Sequence, residues 1–334
     1  MLRKRVTIPD LARELGLSVG TVSNALNDKG RVSPETRELV VETARQRGYS
    51  RNQSAAALRT GRHDLVSVYL PRHTADLSFY MEFTIGLSIS LGKAGVDLLI
   101  ASPEANQDRR SGIIDGAVVV DWNKGLQAPL ELLAAGIPVL AADGVPDDSI
   151  KPTAIVSTDY HELVRNMTSA AIASGAKRPL LVAPDEFDTA WQHDIITGFQ
   201  AACREVEVEA MQSSFPVGGT ATELIELLER VVPELRPDCL VFGGQRLAGI
   251  AHVTFGYGEP DSAIPWLVSC AGDPLTEISS PVITAADPAP LGFGQRCGQV
   301  LLHIIESGQP LPHTIDWPAQ VNWAEHWTVT GATE

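Results

Sequence analysis

Cysteine is scarce in this chain of 334 residues, with only Cys203, Cys239, Cys270 and Cys297, far apart and never in a CxxC pair. Such spacing argues against a disulfide framework or a zinc site and for buried free thiols. Long apolar runs are missing too, none approaching the roughly 18 residues that a membrane span needs. The basic start Met1-Leu2-Arg3-Lys4-Arg5 runs into polar, helix-like sequence where a secretory signal would carry its apolar stretch. A cytoplasmic protein without a membrane partner is therefore expected. GxxxxGK[ST] and HExxH are absent, and the eight histidines stand alone. Gly292-Phe293-Gly294-Gln295-Arg296-Cys297-Gly298 comes near GxGxxG, but its last glycine is one position late and the preceding Pro288-Ala289-Pro290 is not a strand. Neither catalysis nor a cofactor is expected.

What is present is a globular composition, 44% hydrophobic and 20% charged, on a chain long enough for about two domains. The formal net charge of −15 speaks against a polyanionic partner until it is divided along the chain. Residues 1–62 hold 12 Lys and Arg against 6 Asp and Glu, and the remainder holds 14 against 35, so a head of +6 precedes a body of −21. Only the head suits nucleic acid, because phosphate neutralisation by Arg and Lys supplies most sequence-independent affinity.

The head reads as three short helices. Thr7 and Asp10 form a capping pair ahead of Leu11, Ala12 and Leu15, and Gly16 ends that helix. Ser18 caps a second helix with Val22, Ala25 and Leu26 inward, after a break as long as a helix-turn-helix turn. Ser33-Pro34-Glu35-Thr36 opens a third, with Leu39, Val40, Thr43 and Ala44 on one side and Gly48 as its stop. If the second helix enters a major groove, Val19, Gly20 and Asn24 face the bases, flanked by Thr21, Ser23 and Asn27. Asn24 can pair with an adenine edge, Val19 offers a methyl contact, and the hydroxyls of Thr21, Ser23 and Ser33 suit phosphates. Thr7, Ser18, Arg31 and Thr36 complete the DNA-facing set.

Val6 to Tyr49, with Thr21-Val22-Ser23, the RVSPETR of Arg31 to Arg37 and a closing Gly48-Tyr49, resembles the headpiece of the lactose-repressor (LacI/GalR) family. The likeness continues through Asn52 to Gly61, similar to that family's hinge helix, in which Leu58 matches a leucine wedged into the minor groove; Asn52 and Ala55 join it as DNA contacts. About eight residues cannot nucleate a helix alone, so hinge folding should be coupled to DNA binding. Residues 1–50 are accordingly expected to be an all-α helix-turn-helix headpiece, residues 51–62 a hinge helix and linker, and residues 63–334 an effector-binding and dimerisation domain.

Beyond Leu65 eight short apolar runs alternate with helical segments: 65–70, 96–101, 116–120, 137–142, 180–183, 239–242, 266–269 and 282–284. This predicts parallel sheets with crossover helices. With a Pro/Gly-rich transition at 143–153, two sheets fit better than one. The pattern resembles the α/β two-lobed, periplasmic-binding-protein-like effector domain of the same family, with one lobe at about 63–158 plus 291–318 and the other at about 159–290 plus the C-terminus.

By that resemblance Phe79, Tyr80, Asp143, Trp191, Gln192, Gln245 and Asp273 are the residues expected to touch an effector. Where many members carry an arginine stands Ile195, and Gly244-Gln245 replaces an Asn-Asp pair, so the usual sugar-binding set is incomplete. The function implied is a nucleoid-associated homodimeric regulator, a repressor in type, of double-stranded operator DNA, tuned by a small molecule of carbohydrate kind. The rival reading is a metabolite-binding protein whose N-terminal helices contact another protein.

Overall fold

The computed structural model describes residues 6–28, 30–49, 61–71, 78–101, 112–185, 188–255, 266–278, 282–308 and 311–325. The hinge positions Asn52, Ala55 and Leu58 lie outside them. Two compact units divide the chain, Met1–His63 and Asp64–Glu334.

In the first unit α1 (Ile8–Leu15), α2 (Val19–Leu26) and α3 (Pro34–Gln46) follow one another. Each helix start is closed by its own sequence. The Thr7 hydroxyl and backbone N–H both donate to Asp10 Oδ2, at 2.6 and 3.1 Å. Ser18 Oγ accepts the Thr21 N–H at 3.0 Å, and Ser33 Oγ accepts the Thr36 N–H at 3.2 Å. Helices this short are marginal alone, and a shared core of Leu11, Ala12, Val22, Ala25, Val40 and Ala44 holds them. Leu39, expected inward, is 53% exposed. Val40 and Ala44, four apart, take the buried stripe of α3, and Leu39 falls about 100° off it.

The second unit contains two six-stranded sheets. The first has the order β11-β5-β4-β3-β1-β2, from β1 (Leu65–Tyr69), β2 (Asp97–Ala101), β3 (Gly116–Val120), β4 (Val139–Ala142), β5 (Ala154–Ser157) and β11 (Thr314–Asp316). The second has the order β12-β10-β9-β8-β6-β7, from β6 (Pro179–Pro184), β7 (Met211–Phe215), β8 (Cys239–Phe242), β9 (Trp266–Ser269), β10 (Ile283–Asp287) and β12 (Gln320–Asn322). Every pairing is parallel except β10 with β12. Strands such as Gly116–Val120 are buried throughout because helices cover both faces.

Sequence periodicity found eight of these twelve strands. It missed β5, β7, β11 and β12, which are polar or only three or four residues long. The 143–153 stretch is a loop inside the first sheet, since Ala154–Ser157 still pairs with β4. The chain leaves that sheet only after Ser157, returns after Asp287 and crosses again after Asp316. Trp317 ties the three crossings together: its carbonyl accepts the Thr158 hydroxyl at 2.9 Å, and its indole N–H donates to the Pro288 carbonyl at 2.8 Å.

Helices α4 (Ser78–Lys93) and α11 (Pro290–Ser307) cover one face of the first sheet and approach backbone to backbone. A Cβ at Gly294 would stand 2.0 Å from the Phe83 carbonyl oxygen, and one at Gly86 equally close to that of Leu291. The glycines of the near-GxGxxG stretch therefore permit helix packing. On the second sheet α6 (Tyr160–Ala173) and α7 (Ala190–Glu205) meet in the same manner at Gly198. The four cysteines are buried and free.

Candidate DNA-binding face and inter-lobe cleft

On the headpiece Val19, Gly20 and Asn24 are exposed along α2, with Thr21, Ser23 and Asn27 half-buried beside them. Thr7, Ser18, Arg31 and Ser33 are exposed and Thr36 is half-buried. Part of this polar set already has local work. Ser18 and Thr21 hydroxyls lie 2.8 Å apart, those of Ser33 and Thr36 3.0 Å apart, and the Asn27 amide donates to the Ser23 carbonyl at 2.6 Å. The starts of α2 and α3 thus combine hydroxyls with the free N–H groups of a helix N-terminus, a chemistry that suits phosphate oxygens.

Between the two sheets lies a cavity of about 110 Å³. It sits at the carboxyl ends of parallel strands, the ordinary place for a ligand in such sheets. Phe79 and Tyr80, in the first turn of α4, wall it from one lobe, together with Asp121 and Asp143. Trp191 and Ile195 of α7 wall it from the other, with the 215–219 turn and Gly243 to Leu247. Its volume is below the ~300–1,000 Å³ of common ligand clefts, so it admits a small ligand unless the lobes part.

Asp121 and Asp143 each follow a strand by one residue. Val120 pairs with Ala142 across β3 and β4, so the two aspartates stand side by side at about the 4.8 Å spacing of neighbouring strands. Both have positive φ, 47° and 62°, a conformation that Asp tolerates better than most residues. Both are buried. The Tyr80 hydroxyl donates to Asp121 Oδ2 at 2.5 Å, and the Thr158 N–H to Asp143 Oδ1 at 3.2 Å. Burial raises the Asp121 carboxyl above the usual carboxylate range despite the Tyr80 hydrogen bond. Burial also drives Asp143 well up, and the neighbouring Asp121 charge adds to the effect. The Tyr80 and Tyr160 hydroxyls are held far above their ordinary range, first by desolvation and then by these carboxylates. Burial pushes the Cys270 thiol, also at the cavity wall, up to about 12, so it stays protonated.

Gln245 spans the lobes. Its carbonyl oxygen accepts the Phe79 N–H at 3.4 Å while its amide donates to the Gly272 carbonyl at 3.0 Å. Of the seven residues expected at an effector, Phe79, Tyr80, Asp143, Trp191 and Gln245 line the cavity. Gln192 and Asp273 do not. Gln192 turns back to accept the N–H groups of Asp188 and Thr189 at the start of α7. Asp273 caps α10 (Pro274–Ile278), accepting N–H groups from Leu275 and Thr276 at 2.8 and 3.1 Å and from Arg246, and lines an adjoining groove.

Sequence reasoning missed Asp121, Tyr160 and Arg246 at this cavity. Asp121 was findable, since it follows an all-apolar strand just as Asp143 does. Tyr160 reaches the site from the first crossing, and Arg246 sits on a turn with φ 69° whose direction no local pattern signals. Ile195 does stand at the cavity wall, and Arg246 brings a guanidinium to the same cavity from a different loop. Arg246 Nε and Trp191 Nε1 are buried without a hydrogen-bond partner among the described residues.

Residues 7–52 match the family described as bacterial regulatory proteins, lacI family. Over 260 residues the chain is 26% identical to catabolite control protein A of Priestia megaterium, covering 74% of this chain and 76% of that one. The maltose regulon regulatory protein MalI of Vibrio furnissii is 36% identical over 111 residues, 33% of this chain and 78% of that relative. In fold, the chain resembles the lac repressor dimer solved with operator and the anti-inducer ONPF, with a TM-score of 0.78 at 18% identity over 96% of this chain and 98% of that one. These relatives are regulators and not enzymes, and the headpiece match disfavours the protein-contact reading. With the DNA-binding module and the two-lobed body both accounted for, the chain belongs to the lacI family of bacterial transcriptional regulators.

Proposed function

We propose that this regulator binds a pseudo-palindromic operator as a homodimer and that a small polar effector in the inter-lobe cavity sets its affinity for DNA. The observation that carries the reading is the cavity itself, walled by both lobes and bridged by Gln245. A ligand that favours one separation of the lobes changes the geometry offered to two hinges, and a tenfold change in operator affinity needs only about 1.4 kcal/mol of coupling. On the DNA side Val19, Gly20 and Asn24 read bases while Thr7, Ser18, Thr21, Ser23, Asn27, Arg31, Ser33 and Thr36 hold phosphates or fix register. Asn52, Ala55 and Leu58 belong to the hinge, with Leu58 as the minor-groove wedge.

Self-association is supported by an apolar stripe on α4. Met81, Ile85 and Ile89 recur every four residues on its exposed side, Met81 at 66%, and Ile100 on the edge strand β2 is 61% exposed. An exposed stripe beside a sheet edge suits a second copy of the chain. A regulator of this kind resides in the cytoplasm, on the nucleoid.

The test is selection of genomic fragments by the full-length protein, then titration of the best fragment at two salt concentrations beside a chain lacking residues 1–62. A palindromic site, a steep salt dependence and no binding by the shortened chain are expected. A salt-insensitive, sequence-blind interaction would overturn the reading. Addition of small-molecule cell extract should shift the titration, and that shift should vanish on blocking the cavity with Gly243→Trp.

A further inference from the structure

The inter-lobe cavity buries two neighbouring carboxyl groups that no described ion pair compensates. Asp121 and Asp143 directly follow adjacent strands, both are buried, and among the described ion pairs neither has a basic partner. Their hydrogen bonds come from one tyrosine hydroxyl and one backbone N–H, which donate without neutralising. Among the described residues Arg246 is the single Lys or Arg at the cavity wall, and it enters from the second lobe.

We propose that the effector carries a protonated nitrogen seated between Asp121 and Asp143, an inference that rests on the cavity being the effector site. An ammonium group has three donors and a full charge, so one nitrogen can bond both carboxylates and relieve their mutual repulsion. A neutral polyol can bond the same oxygens but brings no charge, so the buried pair must relieve its repulsion by holding a proton instead. Tyr80 and Tyr160, both at the wall, offer rings whose faces attract a cation. Asp194, on α7, adds its field at Asp143.

The second lobe has the opposite character. Trp191 Nε1 and Arg246 Nε, on two residues of the cavity wall, are N–H donors without acceptors among the described residues. A ligand with its amine toward the aspartates and a hydroxyl, carbonyl or carboxylate toward Trp191 and Arg246 satisfies both walls and bridges the lobes. The volume restricts it to a small molecule, such as an aminated monosaccharide or a short amino alcohol.

The test compares matched probes by calorimetry on the full-length protein at neutral pH: glucosamine against glucose and ethanolamine against ethylene glycol. At least one amine should bind about tenfold or more tightly than its hydroxyl counterpart, a difference of about 1.4 kcal/mol, and Asp121→Asn or Asp143→Asn should abolish that preference. Should those variants fail to fold, carbon NMR of the wild-type aspartate carboxyls decides, because a bound amine lowers the Asp121 and Asp143 titrations and a neutral probe does not. Equal or tighter binding of a neutral probe, a preference that survives both substitutions, or no binding by either amine overturns the charge assignment. The effector-site reading fails separately, if small molecules from cell extract shift operator affinity and Gly243→Trp leaves that shift intact.

Discussion

The headpiece and the cleft are built at opposite ranges of sequence. Every helix start in the headpiece is closed within three residues, by Thr7 with Asp10, Ser18 with Thr21 and Ser33 with Thr36, and its outward residues fall within two turns of α2. The cleft draws its walls from Phe79 to Pro288, and its most charged feature exists only because β3 and β4 lie side by side. A DNA-reading module can thus be encoded as a local pattern, whereas a ligand site in a two-lobed body is a product of topology. The headpiece core is small and tolerant at its surface, while the body relies on backbones in contact.

The largest effect that would sharpen this contrast is at the helix contact. Gly294→Ala places a methyl group against the Phe83 carbonyl and should cost about 3 kcal/mol or more of stability in denaturant unfolding. Gly20→Ala on α2, where the nearest neighbour is Ser18 Oγ at 3.7 Å, should leave stability unchanged or raise it by up to about 1 kcal/mol, yet weaken operator binding. Comparable losses at both glycines would break the comparison.

Leu11→Ala, from the fully buried centre of the headpiece, should cost about 2–5 kcal/mol and separate a low-temperature headpiece transition from an unchanged body transition in calorimetry. A single shifted transition would mean that the units melt together. Asn24→Ala should relax base preference at one position per half-site, worth about 1–3 kcal/mol of discrimination in a competition assay across operator variants. Uniform weakening across all variants would assign Asn24 to phosphate instead.

The smallest effect concerns pH. The folded-state titration of Asp121 lies above its unfolded value, so its contribution to stability is complete below the ordinary carboxylate range and is lost as pH rises through the raised value. Tyr80, Asp143 and Tyr160 face the same space, and the tyrosines stay neutral through this window. Asp121→Asn should therefore raise the melting temperature of the unliganded protein at neutral pH and lose that advantage in mild acid. A stabilisation independent of pH would show that packing, not charge, is the cause.

Much of this is legible in the amino-acid sequence. The caps of α2 and α3, the buried stripe of Val22 and Ala25, and the parallel strands with apolar runs all follow from short-range rules. Leu39 was misplaced because four apolar or β-branched positions in one stretch of α3 compete for a stripe that only two can fill. The polar β7 and the three-residue β11 and β12 carry too little periodicity to register, and they exist because a neighbouring strand offers free hydrogen-bonding groups. At the cleft, Phe79, Tyr80, Asp143, Trp191 and Gln245 were placed by resemblance, while Gln192 and Asp273 proved to be helix caps that no family pattern distinguishes from ligand contacts.

Charge division, capping pairs and helical spacing along residues 1–62 were enough to define a basic three-helix module, because each of those signals acts over a few residues of chain. Tertiary structure decided the remainder. It set Asp121 against Asp143, carried Arg246 to the wall where Ile195 offers no charge, and tied three chain crossings to Trp317. Such neighbours are fixed by sheet register and crossover order, and electrostatic coupling between residues far apart in sequence arises only once folding has brought them into one desolvated space.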